Sequence, residues 1–167
     1  ASCMNNLGIF YKNGYGVQQD YQRAIALFEE AITLNDKHAT HNLGLMYEDG
    51  KGIPRDYVKA MELYRNAAQK DNKFSQFKLG WFFEKGLGCA VNLDSSMAYY
   101  TIAANKGHEN AQNNLGWLYQ KKGDKKMALH WYQMAADHGY GLAIANIGRF
   151  YENGWIVAKD MKKATEL

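Results

Sequence analysis

Apolar residues recur along this chain at spacings of three and four, the signature of helices with one buried face. Between residues 39 and 72 the pattern is complete. Ala39, Leu43 and Tyr47 form one stripe, with Gly44 beside it, and Ala60, Leu63, Tyr64, Ala67 and Ala68 form a second. Gly50-Lys51-Gly52 interrupts them. Asp56 then stands where its carboxylate can accept the free N–H groups that open a helix. The stretch predicts a helical hairpin with one apolar side, too small to bury that side by itself.

The hairpin recurs. Gly8, Gly44, Gly80, Gly116 and Gly148 align at intervals of 36, 36, 36 and 32 residues, a period that points to a solenoid. Small residues precede them at Cys3, Ala39, Ser75, Ala111 and Ala143, and Leu7, Leu43, Leu79, Leu115 and Ile147 stand directly before the glycines. In the second helix Ala24, Ala60, Ser96, Ala128 and Ala164 align, followed by Phe28, Tyr64, Tyr100 and Tyr132. The expected architecture is all-α: a stack of antiparallel helix pairs with units at 1–36, 37–72, 73–108, 109–140 and 141–167, forming a single helical-repeat domain. First helices are expected near 2–13, 74–85, 110–121 and 142–153, and second helices near 21–34, 93–106 and 125–138, with another beginning after Asp160. Asp20, Asn92 and Asp124 are the expected caps of second helices, as Asp56 is. Neither end carries the polar cap of a terminal repeat, so the chain is expected to be part of a longer protein.

A glycine inside a helix costs about 0.8–1.0 kcal/mol relative to alanine. A penalty repeated in every unit needs an offset repeated in every unit. Close approach supplies one: Phe28, Tyr64, Tyr100 and Tyr132 are expected to be buried against the backbone at the glycines. Asn6, Asn42, Asn114 and Asn146, two residues before a glycine, are expected to tie units together through backbone hydrogen bonds; Lys78 breaks that series.

The pattern Ala-x-x-x-Leu-Gly-x-x-Tyr-x-x-Gly-x-Gly-Val/Ile, then Asp-x-x-Lys/Arg-Ala, then aromatic-x-x-Ala-Ala, resembles the Sel-one-like repeat (SLR) family, related to tetratricopeptide repeats. The resemblance covers essentially the whole chain. It implies a right-handed superhelix of helix pairs and an adaptor role, with ligands on the concave face. Unit four departs from it. Gly116 to Ala128 spans 12 residues, against 16 from Gly44 to Ala60, a spacing similar to the tetratricopeptide form.

Composition adds limits. A net charge of +3 is too small to imply nucleic acid or a membrane surface, and no apolar run reaches the length of a spanning helix. Neither a nucleic-acid partner nor membrane insertion is expected. Cys3 and Cys89 both occupy apolar positions and read as buried thiols, without a disulfide framework. Together with the lack of an Asn-x-Ser/Thr sequon, this leans toward a reducing compartment.

Candidate chemistry is sparse. Each Gly-x-Gly lacks the preceding strand of a phosphate loop and reads as a left-handed helix stop. His38 and His41 share a helix face without an evident third ligand, and the Lys121-Lys122 run reads as a solvated loop. No catalytic constellation, cofactor site or metal site emerges, and the chain is not expected to be an enzyme.

By analogy with tetratricopeptide repeats, positions −6, −3, +1, +4 and +5 from each glycine should line the inner wall. They place His41, Phe77, Trp81, Lys85, Trp117, Lys121 and Arg149 there. Aromatic and arginine residues dominate binding hot spots. The expected function is an adaptor that holds a partner peptide or helix in a groove centred on units two to four. Self-association, or a regulatory repeat segment of a larger enzyme, is the alternative.

Overall fold

The computed structural model describes residues 1–155. Among them are nine α-helices and no strand: α1 (Ser2–Asn13), α2 (Tyr21–Thr33), α3 (Lys37–Asp49), α4 (Tyr57–Gln69), α5 (Lys73–Lys85), α6 (Leu93–Asn105), α7 (Glu109–Lys121), α8 (Lys125–Asp137) and α9 (Gly141–Asn153). The bounds of all but α3 and α4, for which none were expected, lie within one residue of the sequence expectation. Ala164 and the helix expected after Asp160 fall outside the described residues. The chain forms two compact units, Ala1–Ser96 and Met97–Leu167.

Local chemistry starts and stops the helices. Asp20, Asp56, Asn92 and Asp124 accept hydrogen bonds from Arg23, Lys59, Ser95 and Met127 N–H respectively. The first helices α3, α5 and α7 are capped as well, which the sequence reading did not anticipate, while α1 and α9 have no side-chain cap. Asp36 accepts from His38 and Ala39 N–H, Asn72 from Ser75 N–H, and His108 Nδ1 from Ala111 N–H. Gly14, Gly50 and Gly86 end α1, α3 and α5 at φ 73°, 69° and 71°.

In the first unit, Phe28 and Ala31 of α2 close a core with Ala39, Leu43 and Met46 of α3. Tyr64 of α4 meets Phe82 of α5 edge-on, ring centroids 5.4 Å apart. In the second unit Tyr132 of α8 meets Phe150 of α9 the same way at 6.1 Å, within a core that includes Ala135, Ala143 and Ile147. The seam therefore joins each of these second helices to the next first helix.

Phe28, Tyr64, Tyr100 and Tyr132 are all buried, and the glycines explain how. A Cβ at Gly8 would lie 2.6 Å from Phe28 Cε1, one at Gly44 2.7 Å from Tyr64 Cε1, and one at Gly116 2.7 Å from Tyr132 Cδ1. Each ring occupies the space a side chain would need.

Three expectations are corrected. Cys3 is exposed, and Leu7 is 40% exposed. Their equivalents are covered by the preceding second helix, as Ala39 and Leu43 are by α2, and no described helix covers that face of α1. The other thiol, Cys89, is only half-buried, 3.8 Å from the Phe82 carbonyl oxygen. The asparagine ties also differ. Asn42 Nδ2 donates to the side chain of Asn5 at 2.8 Å, and Asn146 Nδ2 to the side chain of Asn113 at 3.0 Å. In these two the amide finds a side-chain amide one unit back, three before that unit's own glycine, whereas Asn114 Nδ2 donates to the Tyr100 hydroxyl at 3.1 Å.

Candidate functional site

The outward-turned positions of the first helices carry the candidate residues. In the first unit, His41 of α3 is half-buried. Its Nδ1 lies 2.9 Å from Ser75 Oγ, and its ring packs 5.4 Å from Tyr64 and 6.1 Å from Phe74. His38, one turn earlier, has Nδ1 3.4 Å from Asn72 Nδ2. Phe77 is half-buried on α5. Trp81, also half-buried, packs edge-on against Phe82, with Lys78 Nζ 5.1 Å from the centre of its ring. Lys85 is exposed and pairs with Glu84 at 2.6 Å.

A charged cluster holds this face. Tyr64 hydroxyl donates a short hydrogen bond to Glu48, and Lys78 Nζ donates to the same carboxylate at 2.7 Å. Burial pushes the Tyr64 phenol far above its ordinary range, and the Glu48 charge beside it adds to the shift. Lys78 was passed over as a residue that merely breaks the asparagine series. The break was itself the signal: a lysine replaces an amide where its partner, Glu48, is an acid.

A recess of about 370 Å³ opens on this face. Ser2, Asn5, Asn6, Ile9, His38, His41, Asn42 and Phe74 line it with Asp36. Five of them, Ser2, Asn5, Ile9, His38 and His41, stand at inner-wall positions of units one and two, and Phe74 at one of unit three. The recess lies nearer the chain start than the groove expected around units two to four.

In the second unit Trp117 of α7 is 42% exposed, and Lys121 Nζ lies 5.1 Å from the centre of its ring. Arg149 of α9 is exposed, and its Nη1 donates to Asn146 Oδ1 at 3.4 Å. Tyr132 hydroxyl donates to Gln120 at 3.0 Å. Burial pushes its phenol up to about 12, against the pull of the Arg149 charge. Trp131 of α8 is buried.

The arrangement offers aromatic faces, amides and paired charges. Among the described residues no three His, Cys, Asp or Glu side chains gather as a metal site, and no helix is long and apolar enough to cross a membrane.

A fixed Gly-aromatic spine with varied side chains on one face defines a class: an all-α helical-repeat solenoid. The chain belongs to the Sel1 repeat family, whose pattern it matches over residues 1–36, 37–72, 73–108, 110–140 and 141–167. It is similar to a Sel1 repeat protein from Oxalobacter formigenes at 30% identity and TM-score 0.90, over 99% of this chain and 67% of that one. It is similar to a protective antigen of uropathogenic Escherichia coli with an SLR fold at 28% identity and TM-score 0.90, over 98% of this chain. The chain spans 36% of that antigen's length. The fold is shared with the immunity protein Pa5087 of Pseudomonas aeruginosa at 23% identity and TM-score 0.68, over 99% of this chain and 65% of that one. A search of curated protein sequences returns no match. Sel1 repeats generally serve as protein–protein interaction scaffolds without enzymatic activity.

Proposed function

We propose that this chain is a binding scaffold that holds a partner protein through side chains of its first helices: His41, Phe77, Trp81 and Lys85 in its first unit, and Trp117, Lys121 and Arg149 in its second. The observation that carries the reading is Trp117: a large ring 42% exposed on a helix whose opposite side is fully buried. Aromatic and arginine side chains in such places supply most of the energy of protein interfaces. Comparative pull-down with the chain and its Trp81→Ala/Trp117→Ala double variant is the test. Loss of partner recovery by a folded double variant supports the reading; unchanged recovery contradicts it.

Self-association is a second reading, favoured by a different observation. Leu7 and Phe10 of α1 are 40% and 47% exposed, whereas their equivalents Leu43 and Met46 are 5% and 1% exposed. A second copy seated on this stripe would bury it. Light scattering across concentration checks this: a mass that stays monomeric to high concentration, and is unchanged by Leu7→Asp, removes the second reading.

A further inference from the structure

A separate cleft of about 370 Å³ opens in the first unit, between the second helices α2 and α4, with α3 as its floor. Its floor residues, Thr40, Leu43 and Tyr47, stand at −4, −1 and +3 from Gly44. None of these is an inner-wall position, and none of the partner-binding candidates lines the cleft. The repeat frame explains why the space is open here. At the Thr40 position units three and four carry Gln76 and Gln112. Each reaches the preceding second helix: Gln76 Nε2 donates to the Ala68 carbonyl at 3.2 Å, and Gln112 Nε2 to the Ala104 carbonyl at 3.0 Å. Thr40 is too short for that span and turns its hydroxyl to the Asp36 carbonyl at 2.9 Å. At the Leu63 position the same units carry Tyr99 and Trp131. Unit two therefore combines two short side chains where units three and four have long ones.

Opposite charges meet over this apolar floor. Lys59 Nζ lies 5.4 Å from the centre of the Tyr47 ring. The frame fixes that place, since Arg23 lies over Tyr11 at 5.0 Å in unit one. Glu62, one turn along α4, also lines the cleft. Neither it nor Lys59 forms an ion pair among the described residues. Ala26, Ala98 and His130 hold the Glu62 position in units one, three and four, so of these four units only unit two sets an acid beside the cation.

We infer that this cleft takes a small zwitterion, a free α-amino acid with an apolar side chain. Its carboxylate pairs with Lys59, its ammonium with Glu62 and the side-chain carbonyl of Asn66, and its apolar side chain lies on Ile32, Leu43 and Leu63. An apolar concavity of this size with a few convergent polar groups suits a small molecule. The charges select one that is neutral overall: a simple anion drawn to Lys59 is repelled by Glu62, and a simple cation the reverse. They also select against a peptide, in which no internal residue has both its ammonium and its carboxylate free.

Amide chemical-shift titrations with leucine, N-acetylleucine and leucinamide test this. Leucine is expected to bind, and the two analogues, each lacking one charge, to bind more weakly by about tenfold or more. Lys59→Met should erase the preference for leucine over leucinamide, and Glu62→Gln the preference over N-acetylleucine, because each removes the group that reads the missing charge. Thr40→Gln and, from the other wall, Leu63→Trp fill the cleft as units three and four do. Either should abolish binding in a chain that melts no lower than the parent. Analogues that bind as tightly as leucine, binding that survives a folded filling variant, or no shift at α3 and α4 with millimolar leucine would each overturn the inference.

Discussion

Units two and four solve one packing problem with different parts. In both, an aromatic ring of the second helix rests on a glycine of the first, and a Cβ there would meet the ring at 2.7 Å. The turns between their helices differ by four residues, yet both close identically. Asp56 N–H donates to the Tyr47 carbonyl at 3.0 Å, and Asp124 N–H to the Tyr119 carbonyl at 2.9 Å. The phenols also find different acceptors at the same register: Tyr64 donates to the carboxylate of Glu48, Tyr132 to the amide of Gln120. The ring-on-glycine contact is therefore what the frame keeps, while turn length and hydroxyl partner vary around it.

The extra residues of the long turn are not idle. A Cβ at Gly52 would come within 2.4 Å of Tyr21 Cβ, at the start of the preceding second helix. Gln22 Nε2 also donates to the Gly52 carbonyl at 2.6 Å. A Cβ at Gly88 would come within 2.8 Å of the Tyr57 backbone. Gly123 in the short turn has no neighbour within 4 Å of where its Cβ would be. The long turn thus adds a contact between units that the short one omits.

Substitutions that break the shared contact have the largest expected effect. Gly44→Leu and Gly116→Leu should each abolish cooperative unfolding, because the ring each would displace is buried on all sides. Circular dichroism melts check this, and melting like the parent would show that the packing explanation is wrong. Substitutions that separate the two turns come next. Gly52→Val combines a positive φ, worth about 1–2 kcal/mol, with overpacking against main-chain-proximal atoms, worth about 1–3 kcal/mol. Gly123→Ala carries the φ cost alone. Urea titrations should rank them in that order, and equal losses would mean the long turn contributes nothing between units.

The smallest effect separates the two phenols. A tyrosine whose folded pKa is raised stabilises the fold fully below its unfolded value of about 10. That contribution is lost as pH rises, because the unfolded state releases the proton first. For Tyr132 the loss runs from about 10 toward 12; for Tyr64 it continues higher. Tyr64→Phe should cost about 0.5–1.5 kcal/mol at neutral pH. Glu48 keeps Lys78 in that variant, and Phe28 fills the same place in unit one without a hydroxyl. Between pH 10 and 11 the variant should lose stability less steeply, by about 1 kcal/mol over that pH unit for one proton. Parallel slopes would place the Tyr64 phenol in water.

Repetition decided what could be read from the sequence. The ring-on-glycine contact and the second-helix caps were legible because each residue type returns at a fixed register, and a repeated cost demands a repeated cause. Cys3 and Leu7 were misread for the same reason. Periodicity assigns them to a buried stripe, while burial depends on whether a helix covers that stripe, which no residue of α1 encodes. The asparagine partners were missed because Asn5 and Asn113 do not recur in every unit: His41, Phe77 and Ala145 hold the equivalent positions. Trp81 and Trp117 share one register, but their depth is set by neighbours such as Phe82 and Lys121. The recess depends on Asn6, Asp36, Asn42 and Phe74 converging from three helices, which spacing along one helix does not reveal.

The frame stands or falls on whether glycine and ring act as a pair, and a double-mutant cycle in urea measures that directly. Gly44→Ala should destabilise the parent although alanine is the better helix former, and it should be neutral or stabilising once Tyr64→Leu has removed the ring. A coupling energy above about 1 kcal/mol between contacting residues is the predicted result. Strictly additive effects of the two substitutions would contradict it.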